Sequence, residues 1–372
     1  MKLTYITNSR IPTEKAHGSQ IMKMCEKFSN LVEVELLVPQ KINYLGQDPF
    51  DFYGTKRTFS IRTVPSFDFG GQTRKFPRLL FLFDLFIFAI SLLFFGKLKR
   101  KDVIYTRDYT LLPFLPFGKN IVEIHDIPRR TAFFVRAIKS ANLIVVITFG
   151  LKNKLVSLGI NADKIIVCPD AVELEDFDIK VSKKDARDKL GLPQDKKLVL
   201  YSGQLYSWKG AETLGDATKY FGSDILTVFV GGTEPWVSNF SKKYLVGDNI
   251  KVIPSQKKSL VPFYLKSADV LVLPNSGKET ISALYTSPLK LFEYMATKRP
   301  IIASSLPSLR EILNDDNATF FEPDNAESLA ESVKKVFKNY SLSENKSNKA
   351  FDDVLKYTWQ KRAEKIVDSI KA

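Results

Sequence analysis

The chain contains very few of the residues that most often bind metals or form disulfide bonds. It has two cysteines, Cys25 and Cys168, and two histidines, His17 and His125, among 372 residues. Each cysteine lies in an apolar stretch, which argues against a disulfide framework or a cysteine metal site and fits a reducing cytoplasm. Two histidines are too few for a histidine-rich metal centre. We therefore expect a cytoplasmic protein without a metal cofactor.

Several other signatures are missing. No long apolar region follows the first residues, so we expect 1–7 to form a strand rather than a signal peptide. There is no Gly-x-Gly-x-x-Gly fingerprint and no P-loop, which argues against a nicotinamide enzyme and a P-loop NTPase. The net charge of +14 attracts anions, whether phosphorylated substrates, anionic lipid or nucleic acid. Nucleic acid is disfavoured, because the basic residues are dispersed and no helix-turn-helix, zinc-finger or RNA-binding signature is present.

Strand-like and helical segments alternate along the chain, which is typical of parallel sheets with crossover helices. The predicted strands are 2–7, 34–38, 103–105, 121–124, 143–147, 165–168, 198–202, 225–230, 250–253, 270–273, 300–303 and 318–321. The predicted helices are 18–29, 79–95, 130–139, 149–157, 210–220, 260–266, 288–297, 306–313, 326–338 and a final one over 357–370. The length favours two domains. We predict a domain over 1–175, a charged linker over 176–196 and a second domain over 197–355.

The segment 287–303 carries the strongest functional signal. Ser287 is a good N-cap and Pro288 suits the first helical position, so a helix is predicted to begin there, between two buried strands. The amino end of such a helix, at the carboxyl end of a parallel strand, favours phosphate. Glu293 follows Leu289 by one helical turn, where its carboxylate can accept both hydroxyls of a ribose. The alternative is an ordinary capped helix whose Glu293 faces water.

A second phosphate candidate follows the strand 198–202. Gly203 permits a tight turn there, and Lys209, just before Gly210, lies near a helix start where its ammonium can meet a diphosphate. Taken alone this signal is weak, because Lys-Gly pairs are common on surfaces. No Asp-x-Asp pair lies at the end of a predicted strand, where it could bind a metal. A sugar transferase without such a pair must neutralise its leaving diphosphate with protein groups, and Lys209, Lys290 and the helix N-terminus supply them.

Two candidates lie in the first half. His125 directly follows the strand 121–124 and precedes Asp126. A functional role at the carboxyl edge of the sheet and a purely structural role are about equally favoured for it. Gly18 follows His17 at the start of a helix. It either lets a substrate approach the backbone closely or is only a turn glycine.

These residues resemble a known family. The motifs Gly203-Gln-Leu with Lys209-Gly210, Ser287-Pro-Leu-Lys-Leu-Phe-Glu-Tyr-Met-Ala and Pro300-Ile-Ile-Ala-Ser look like those of the retaining nucleotide-sugar glycosyltransferases of family 4. The resemblance covers nearly the whole chain and is most specific in the second half. It implies the GT-B fold: two doubly wound, Rossmann-like α/β domains that face each other across a cleft, with a last helix, 356–372, that crosses back to the first domain.

The resemblance also implies the site. Catalytic residues would be His125 near the transferred sugar, Lys209 at the diphosphate and Glu293 at the donor ribose. The donor would further meet Gly18, Gly203, Gln204 and Lys290, and backbone amides around Ser287, Pro288 and Leu289. Sugar would pass from a nucleoside-diphosphate sugar to a hydroxyl of a glycan or lipid-linked acceptor, without a metal.

The sequence departs from the family pattern at two positions. The family often has another Glu eight residues before the ribose-binding Glu293, and here that position is Tyr285. Glu279 would have to take over the role of that missing Glu. Gln204 stands where the family often has Arg, and Lys290 would replace that charge. Two alternatives stay open: a GT-B epimerase, or a nucleotide-binding protein of this fold without transferase activity.

One apolar segment, 79–95, is too short and carries Asp84, so it is not expected to span a bilayer. A core helix is the simpler interpretation. Its flanks, however, are basic: residues 74–101 contain Arg74, Lys75, Arg78, Lys97, Lys99, Arg100 and Lys101 against Asp84 alone. Aromatic surface beside basic residues is typical of a protein held at an anionic membrane, so we also predict peripheral attachment through 74–101.

Overall fold

The computed structural model describes residues 1–67, 77–115, 118–245 and 247–372, and for 77–82 it describes the backbone but not the side chains. Two compact units are found. The first contains Met1–Ile147, Leu151–Cys168 and Trp359–Ala372, and the second contains Thr148–Gly150 and Pro169–Thr358. Each unit is built on its own parallel sheet, and strands and helices are numbered here in chain order.

The first unit has a seven-stranded parallel sheet in the order β3-β2-β1-β4-β5-β6-β7. Its strands are β1 (Lys2–Ile6), β2 (Glu33–Pro39), β3 (Ser60–Val64), β4 (Val103–Thr106), β5 (Lys119–Ile124), β6 (Leu143–Val146) and β7 (Ile165–Val167). Its helices are α1 (Ala16–Ser29), α2 (Pro49–Tyr53), α3 (Pro77–Phe95), α4 (Thr131–Lys139), the greater part of α5 (Phe149–Ser157), and the last helix of the chain, α15 (Trp359–Lys371).

The second unit has a six-stranded parallel sheet in the order β10-β9-β8-β11-β12-β13. Its strands are β8 (Lys197–Ser202), β9 (Ile225–Val230), β10 (Ile250–Ile253), β11 (Val270–Leu273), β12 (Ile301–Ser304) and β13 (Thr319–Phe321). Its α-helices are α6 (Leu174–Phe177), α7 (Lys183–Leu190), α8 (Ala211–Ala217), α9 (Trp236–Tyr244), α10 (Val261–Ser267), α11 (Leu289–Ala296), α12 (Pro307–Arg310), α13 (Ala326–Lys338) and α14 (Tyr340–Val354).

The central strands are mostly buried because helices cover both faces of each sheet. All four residues of β11 are buried, and so are all six of β9. Strand order reverses between β1 and β4 in the first sheet and between β8 and β11 in the second. Such reversal points leave a crevice at the carboxyl ends of the strands, where ligands bind in open α/β sheets.

The predicted fold class, two doubly wound parallel-sheet domains, is confirmed. Each of the twelve predicted strands is present within about two residues of its predicted ends. β3 escaped prediction because Val64 is its one fully buried residue, which leaves almost no apolar pattern. The segment 176–196, predicted as a linker, is grouped with the second unit and contains α7, whose Arg187 is buried and donates 2.7 Å to Asp269.

Candidate functional site

Two loops meet where strand order reverses in the second sheet. One follows β8 and the other follows β11. The amide of Ser276 donates to the carbonyl oxygen of Trp208 at 3.1 Å, and the hydroxyl of Ser282 donates to the same oxygen at 3.2 Å. These bonds fix the residues next to Lys209 against the end of β11.

Gly210 makes that close approach possible. Its φ is +72°, in the left-handed region, and a Cβ placed on it would lie 1.7 Å from the carbonyl oxygen of Pro274. Any other residue would therefore push the two loops apart. Lys209 precedes it at the end of a short 3₁₀ turn, Ser207–Lys209, and α8 begins at Ala211, so Lys209 lies near a helix start as the sequence indicated.

Lys209 is held in a poorly solvated place. Its Nζ lies 3.8 Å from the centroid of the neighbouring Trp208 ring. Burial lowers the pKa of Lys209 to about 8, and the carboxylate of Asp170 acts in the opposite direction. At neutral pH the side chain is therefore still mostly an ammonium, and a nearby anion would raise its pKa again.

Lys290 lies close by on α11 and is buried. Its Nζ is 3.8 Å from the centroid of the Tyr201 ring and has no hydrogen-bond partner among the described residues. Burial, and then the charge of Lys209, hold the pKa of Lys290 well below its usual range, while Glu293 opposes them. A buried amine without a partner is unfavourable unless a ligand supplies the missing acceptor.

Glu293 is the third charged residue of this cluster and lies one turn further along α11. Burial raises its pKa to about 7; Lys258 and Lys290 oppose that shift, and Asp176 adds to it. Glu293 also lines an open cavity of about 220 Å³ at the carboxyl ends of β8, β9 and β10. The prediction that Glu293 simply faces water is therefore disfavoured.

Glycine backbone forms much of the wall of this cavity. Gly203, Gly231 and Gly232 all have positive φ, at 135°, 120° and 85°. A Cβ on Gly231 would lie 2.6 Å from the carbonyl oxygen of Gly203, so no side chain fits between the two loops. Such a wall lets a flat group lie against backbone. Gln204, also at the cavity, has a buried Oε1 without a partner among the described residues.

The start of α11 differs in detail from the prediction. The helix begins at Leu289, Pro288 occupies the N-cap position, and no side chain caps the first turn. Ser287 does not cap because its hydroxyl is engaged elsewhere: it accepts a bond from the amide of Asp170 at 3.0 Å. Pro288 has no N–H, so the amides that can meet an anion here belong to residues around it, such as Leu289.

In the first unit, His125 lies at the end of β5 and is hydrogen-bonded to Glu123. The buried carboxylate of Glu123 also meets Nη2 of Arg362 at 3.1 Å and the hydroxyl of Tyr105. Burial raises the pKa of Glu123, but Arg362, His125 and Arg107 together hold it well below its usual range. This network orients His125, and sequence analysis missed Arg362. The sequence did contain a signal for such a partner: Glu123 lies between apolar residues of a strand, and a buried carboxylate requires a nearby cation.

Gly18 lies in the first turn of α1, where packing uses the space that its missing side chain leaves. A Cβ there would lie 2.1 Å from the Tyr53 hydroxyl and 2.6 Å from Cγ2 of Thr13. Its amide donates to the carbonyl oxygen of Lys15 at 3.0 Å. The glycine is thus explained by packing, and its predicted contact with a donor stays a prediction.

The cluster has a definite chemical capacity. Two amines and an uncapped helix start can neutralise a diphosphate, and Glu293 can accept from a diol. Among the described side chains, no three His, Cys, Asp or Glu come together as a metal ion would need.

The two residues at the departure from the family pattern differ in exposure. Glu279, the suggested substitute for the missing Glu, is exposed. Tyr285 is buried in a turn of π-helix over Ile281–Tyr285.

Comparison with known proteins finds similarity to glycosyltransferases. Residues 182–353 match the family described as "Glycosyl transferases group 1". The chain is 26% identical over 202 residues to a "Putative teichuronic acid biosynthesis glycosyltransferase TuaC" of Bacillus subtilis, covering 54% of this chain and 48% of that protein. It is 28% identical over 157 residues to a "UDP-Gal:alpha-D-GlcNAc-diphosphoundecaprenol alpha-1,3-galactosyltransferase" of Escherichia coli, covering 40% and 38%. The chain thus spans about half, or less, of the length of these curated relatives.

Solved structures give the fold. The crystal structure of Anabaena Alr3699/HepE in complex with UDP and glucose superposes with a TM-score of 0.75 at 13% identity, covering 100% of both chains. The architecture is therefore GT-B, as predicted. Within it, the segment 182–353 of the second unit is the part that is similar to the group 1 glycosyltransferase family.

Proposed function

We propose that the protein is a retaining glycosyltransferase of family 4, which transfers a sugar from a nucleoside-diphosphate sugar to a hydroxyl of a glycan or lipid-linked acceptor in cell-surface polysaccharide synthesis. The observation that carries this proposal is the convergence of Lys209, Lys290 and Glu293. They come together at the point where strand order reverses in the second sheet. The match of residues 182–353 to the group 1 glycosyltransferase family and the similarity to the teichuronic acid biosynthesis glycosyltransferase support the same class of reaction.

The donor fits this cluster by charge and shape. The ribose hydroxyls donate to Glu293, and the diphosphate lies between Lys209, Lys290 and the start of α11. The nucleobase then lies against the glycine-lined wall of the cavity beside Gly203 and Gln204. Binding of UDP and glucose by the Anabaena protein of the same fold supports a donor of this kind.

In the proposed reaction the bond between the sugar C1 and the leaving phosphate oxygen breaks. The acceptor hydroxyl forms the new bond to C1 on the same face, and its proton passes to the leaving phosphate. Lys209 and Lys290 stabilise the charge that grows on the diphosphate, so no metal is required in this scheme. His125, oriented by Glu123, contacts the transferred sugar and helps to position it.

The relatives and the charge of the chain support the proposed acceptor and location. One relative is named for a diphosphoundecaprenol-linked substrate, which supports a lipid-linked acceptor for this chain too. Within the parts of the chain that the structure describes, no helix has the length and apolar character to cross a bilayer. We propose a cytoplasmic protein attached peripherally at the inner membrane face through the 74–101 region.

The test is release of nucleoside diphosphate from a panel of sugar donors, together with thermal-shift screening of the same compounds. We expect at least one donor to raise the melting temperature, by an amount that grows with the logarithm of its concentration divided by its dissociation constant. We also expect that donor to be hydrolysed slowly without acceptor. Lys298→Met, a change at an exposed lysine, is the control for Lys209→Met. Binding without release of nucleotide from any donor would favour the non-catalytic alternative, and absence of nucleotide binding would overturn the proposal.

A further inference from the structure

Helix α3 has two apolar faces: one is buried in the core of the first unit, and the other is largely exposed, with Phe86 at its edge packed against the Phe114 ring (centroids 6.1 Å apart). Leu85, Phe88, Ala89 and Leu92 are buried in the core of the unit with β1, β2 and β4 residues. On the opposite face Phe86, Ile90, Leu93 and Phe94 are 49%, 37%, 45% and 77% exposed. Their spacing of four, seven and eight residues from Phe86 places them along one stripe of the helix.

The helix is firmly fixed to the unit, so the exposed stripe does not result from loose packing. Asp84, on the inner side, pairs with Lys41 at 2.8 Å and accepts a bond from Ser66 at 3.1 Å. At the helix end, the Arg62 guanidinium donates to the carbonyl oxygens of Phe95 and Gly96 at 2.6 and 2.7 Å. Arg62 is itself held by Glu35 at 2.7 Å.

Cations follow the exposed stripe directly. Lys97, Lys99 and Lys101 are all exposed, and the acidic residues of this stretch, Asp84 and Asp102, are buried. The surface thus combines large aromatic side chains with positive charge and no exposed carboxylate between residues 83 and 102. That pairing fits the boundary between lipid headgroups and acyl chains.

We propose that this surface, the outer stripe of α3 with Lys97, Lys99 and Lys101, docks the protein on an anionic membrane. The helix lies flat in the interface, with Phe86, Ile90, Leu93 and Phe94 inserted among the acyl chains and the lysines at the phosphate level. This refines the proposed peripheral attachment, and it does not depend on the transferase chemistry. Of the predicted basic flank, Arg74, Lys75 and the side chain of Arg78 lie outside the described residues.

Lipid is favoured over a protein partner by the distribution of charge. A second copy of this chain would bring the same lysines against each other, because the net charge is +14 and this stretch exposes no acid. Anionic lipid instead offers dispersed negative charge together with an apolar layer. Each lysine near such a surface strengthens binding about fivefold.

The experiment is co-sedimentation of the full chain with vesicles of phosphatidylcholine alone and with added phosphatidylglycerol. We expect binding to the anionic vesicles to exceed binding to the neutral ones by at least about tenfold and to weaken with salt. The double variant Phe86→Ser/Phe94→Ser is expected to lose most of this binding. Its control, Phe133→Ser, changes a phenylalanine of similar exposure (53%) on α4 and should bind like the unmodified protein.

A charge variant separates the electrostatic part. Lys99→Glu/Lys101→Glu should lose anionic-vesicle binding more than tenfold, whereas Lys139→Glu/Lys154→Glu, with the same change in net charge at other exposed lysines, should lose much less. Nucleotide release from donor without vesicles is measured on every variant, which separates failure of docking from failure of the transferase. Equal binding to neutral and anionic vesicles, normal binding of the Phe86/Phe94 variant, or a stripe-dependent dimer in solution would each overturn the proposal.

Discussion

Nζ of Lys290 lies 3.8 Å from the centroid of the Tyr201 ring, and a Cβ on Gly203 would lie 3.1 Å from the same nitrogen. The ring and the glycine come from the end of β8, and the lysine comes from α11, which follows β11. The contact therefore links the two sides of the reversal point in the second sheet. It gives the amine an aromatic face but no oxygen acceptor among the described residues, so an anionic ligand would complete its environment.

The first prediction concerns Lys290→Met. Methionine keeps the length of the side chain and removes the buried amine, so we expect the melting temperature of the free protein to stay the same or rise. Affinity for the nucleoside-diphosphate sugar should fall by about tenfold or more, because a charge-assisted bond to phosphate is lost. Thermal shift and calorimetry measure both quantities.

Lys298→Met is the matched control for this substitution. Lys298 also lies 3.8 Å from an aromatic centroid, that of Phe351, but its side chain is 42% exposed. Donor affinity should be unchanged there. If Lys290→Met bound the donor as tightly as Lys298→Met, the diphosphate would not lie at Lys290.

A second prediction concerns stability and pH at Glu293. Its pKa is about 7 in the folded protein and near 4.5 in the unfolded chain. Between these values the unfolded chain loses the proton first, so Glu293 lowers the free energy of unfolding as pH rises from about 4.5 to about 7. Glu293→Gln should therefore be more stable than the unmodified protein above pH 7, by about 1–3 kcal/mol, and equally stable at pH 4. Urea unfolding at several pH values tests this, and a constant difference across that range would contradict it.

The same groups predict the pH dependence of donor binding. Glu293 accepts ribose hydroxyls best as a carboxylate, which requires a pH above about 7. Lys209 meets the diphosphate best as an ammonium, which requires a pH below about 8. Affinity should therefore be greatest between these values and fall on both sides. Glu293→Gln should remove the acid limb and Lys209→Met the alkaline limb; a curve of unchanged shape in either variant would contradict the assigned role.

Much of this site was accessible from the sequence because it is local. Gly203, Lys209, Ser287 and Glu293 lie within two short segments whose strand–loop–helix pattern is visible in the order of residues. The parallel sheets were predictable for a similar reason, since β11 is a continuous apolar run and β9 is interrupted only by Thr227.

The parts that escaped prediction depend on distant contacts. Ser287 looked like a helix cap, but its hydroxyl binds the amide of Asp170, which is 117 residues away. α14 is rich in Ser, Asn and Lys and has little apolar periodicity, yet Ala350 and Val354 are fully buried in the core shared with α11. In such cases tertiary packing overrides local preference, and one sequence does not reveal which contacts will form.

A fourth prediction tests the construction of the Lys209 loop. Gly210→Ala adds a Cβ that would lie 1.7 Å from the Pro274 carbonyl oxygen, so the loops after β8 and β11 must separate. Donor affinity should fall at least tenfold even where the protein stays folded, because Lys209 moves with the loop.

Gly191→Ala is the control for this substitution. The φ of Gly191 is +61°, but no atom lies within 4 Å of the added Cβ. It should cost about 1 kcal/mol of stability and leave donor binding intact. Equal donor affinity in the two variants would show that the loop contact does not position Lys209.

The last prediction concerns the buried pair of Glu123 and Arg362 behind His125. Arg362→Leu leaves the carboxylate of Glu123 without its main cation, and we expect a loss of about 3–5 kcal/mol in the free energy of unfolding. Because Arg362 and its neighbours depress the pKa of Glu123, the stabilisation is present above the ordinary value of 4.5 and is lost as pH falls below it. The difference in stability between Arg362→Leu and the unmodified protein should therefore shrink in acid.

A second substitution tests the cause. Adding Glu123→Gln to Arg362→Leu should restore part of the stability at neutral pH, since the uncompensated charge is gone. Arg57→Leu is the control: Arg57 is 57% exposed beside Asp48, and water screens this ion pair, so its loss should change the free energy of unfolding little. Denaturant unfolding at pH 7 and pH 4 measures the stability of all four proteins. If the double variant were no more stable than Arg362→Leu at pH 7, the role of Arg362 would not be to compensate the buried charge of Glu123.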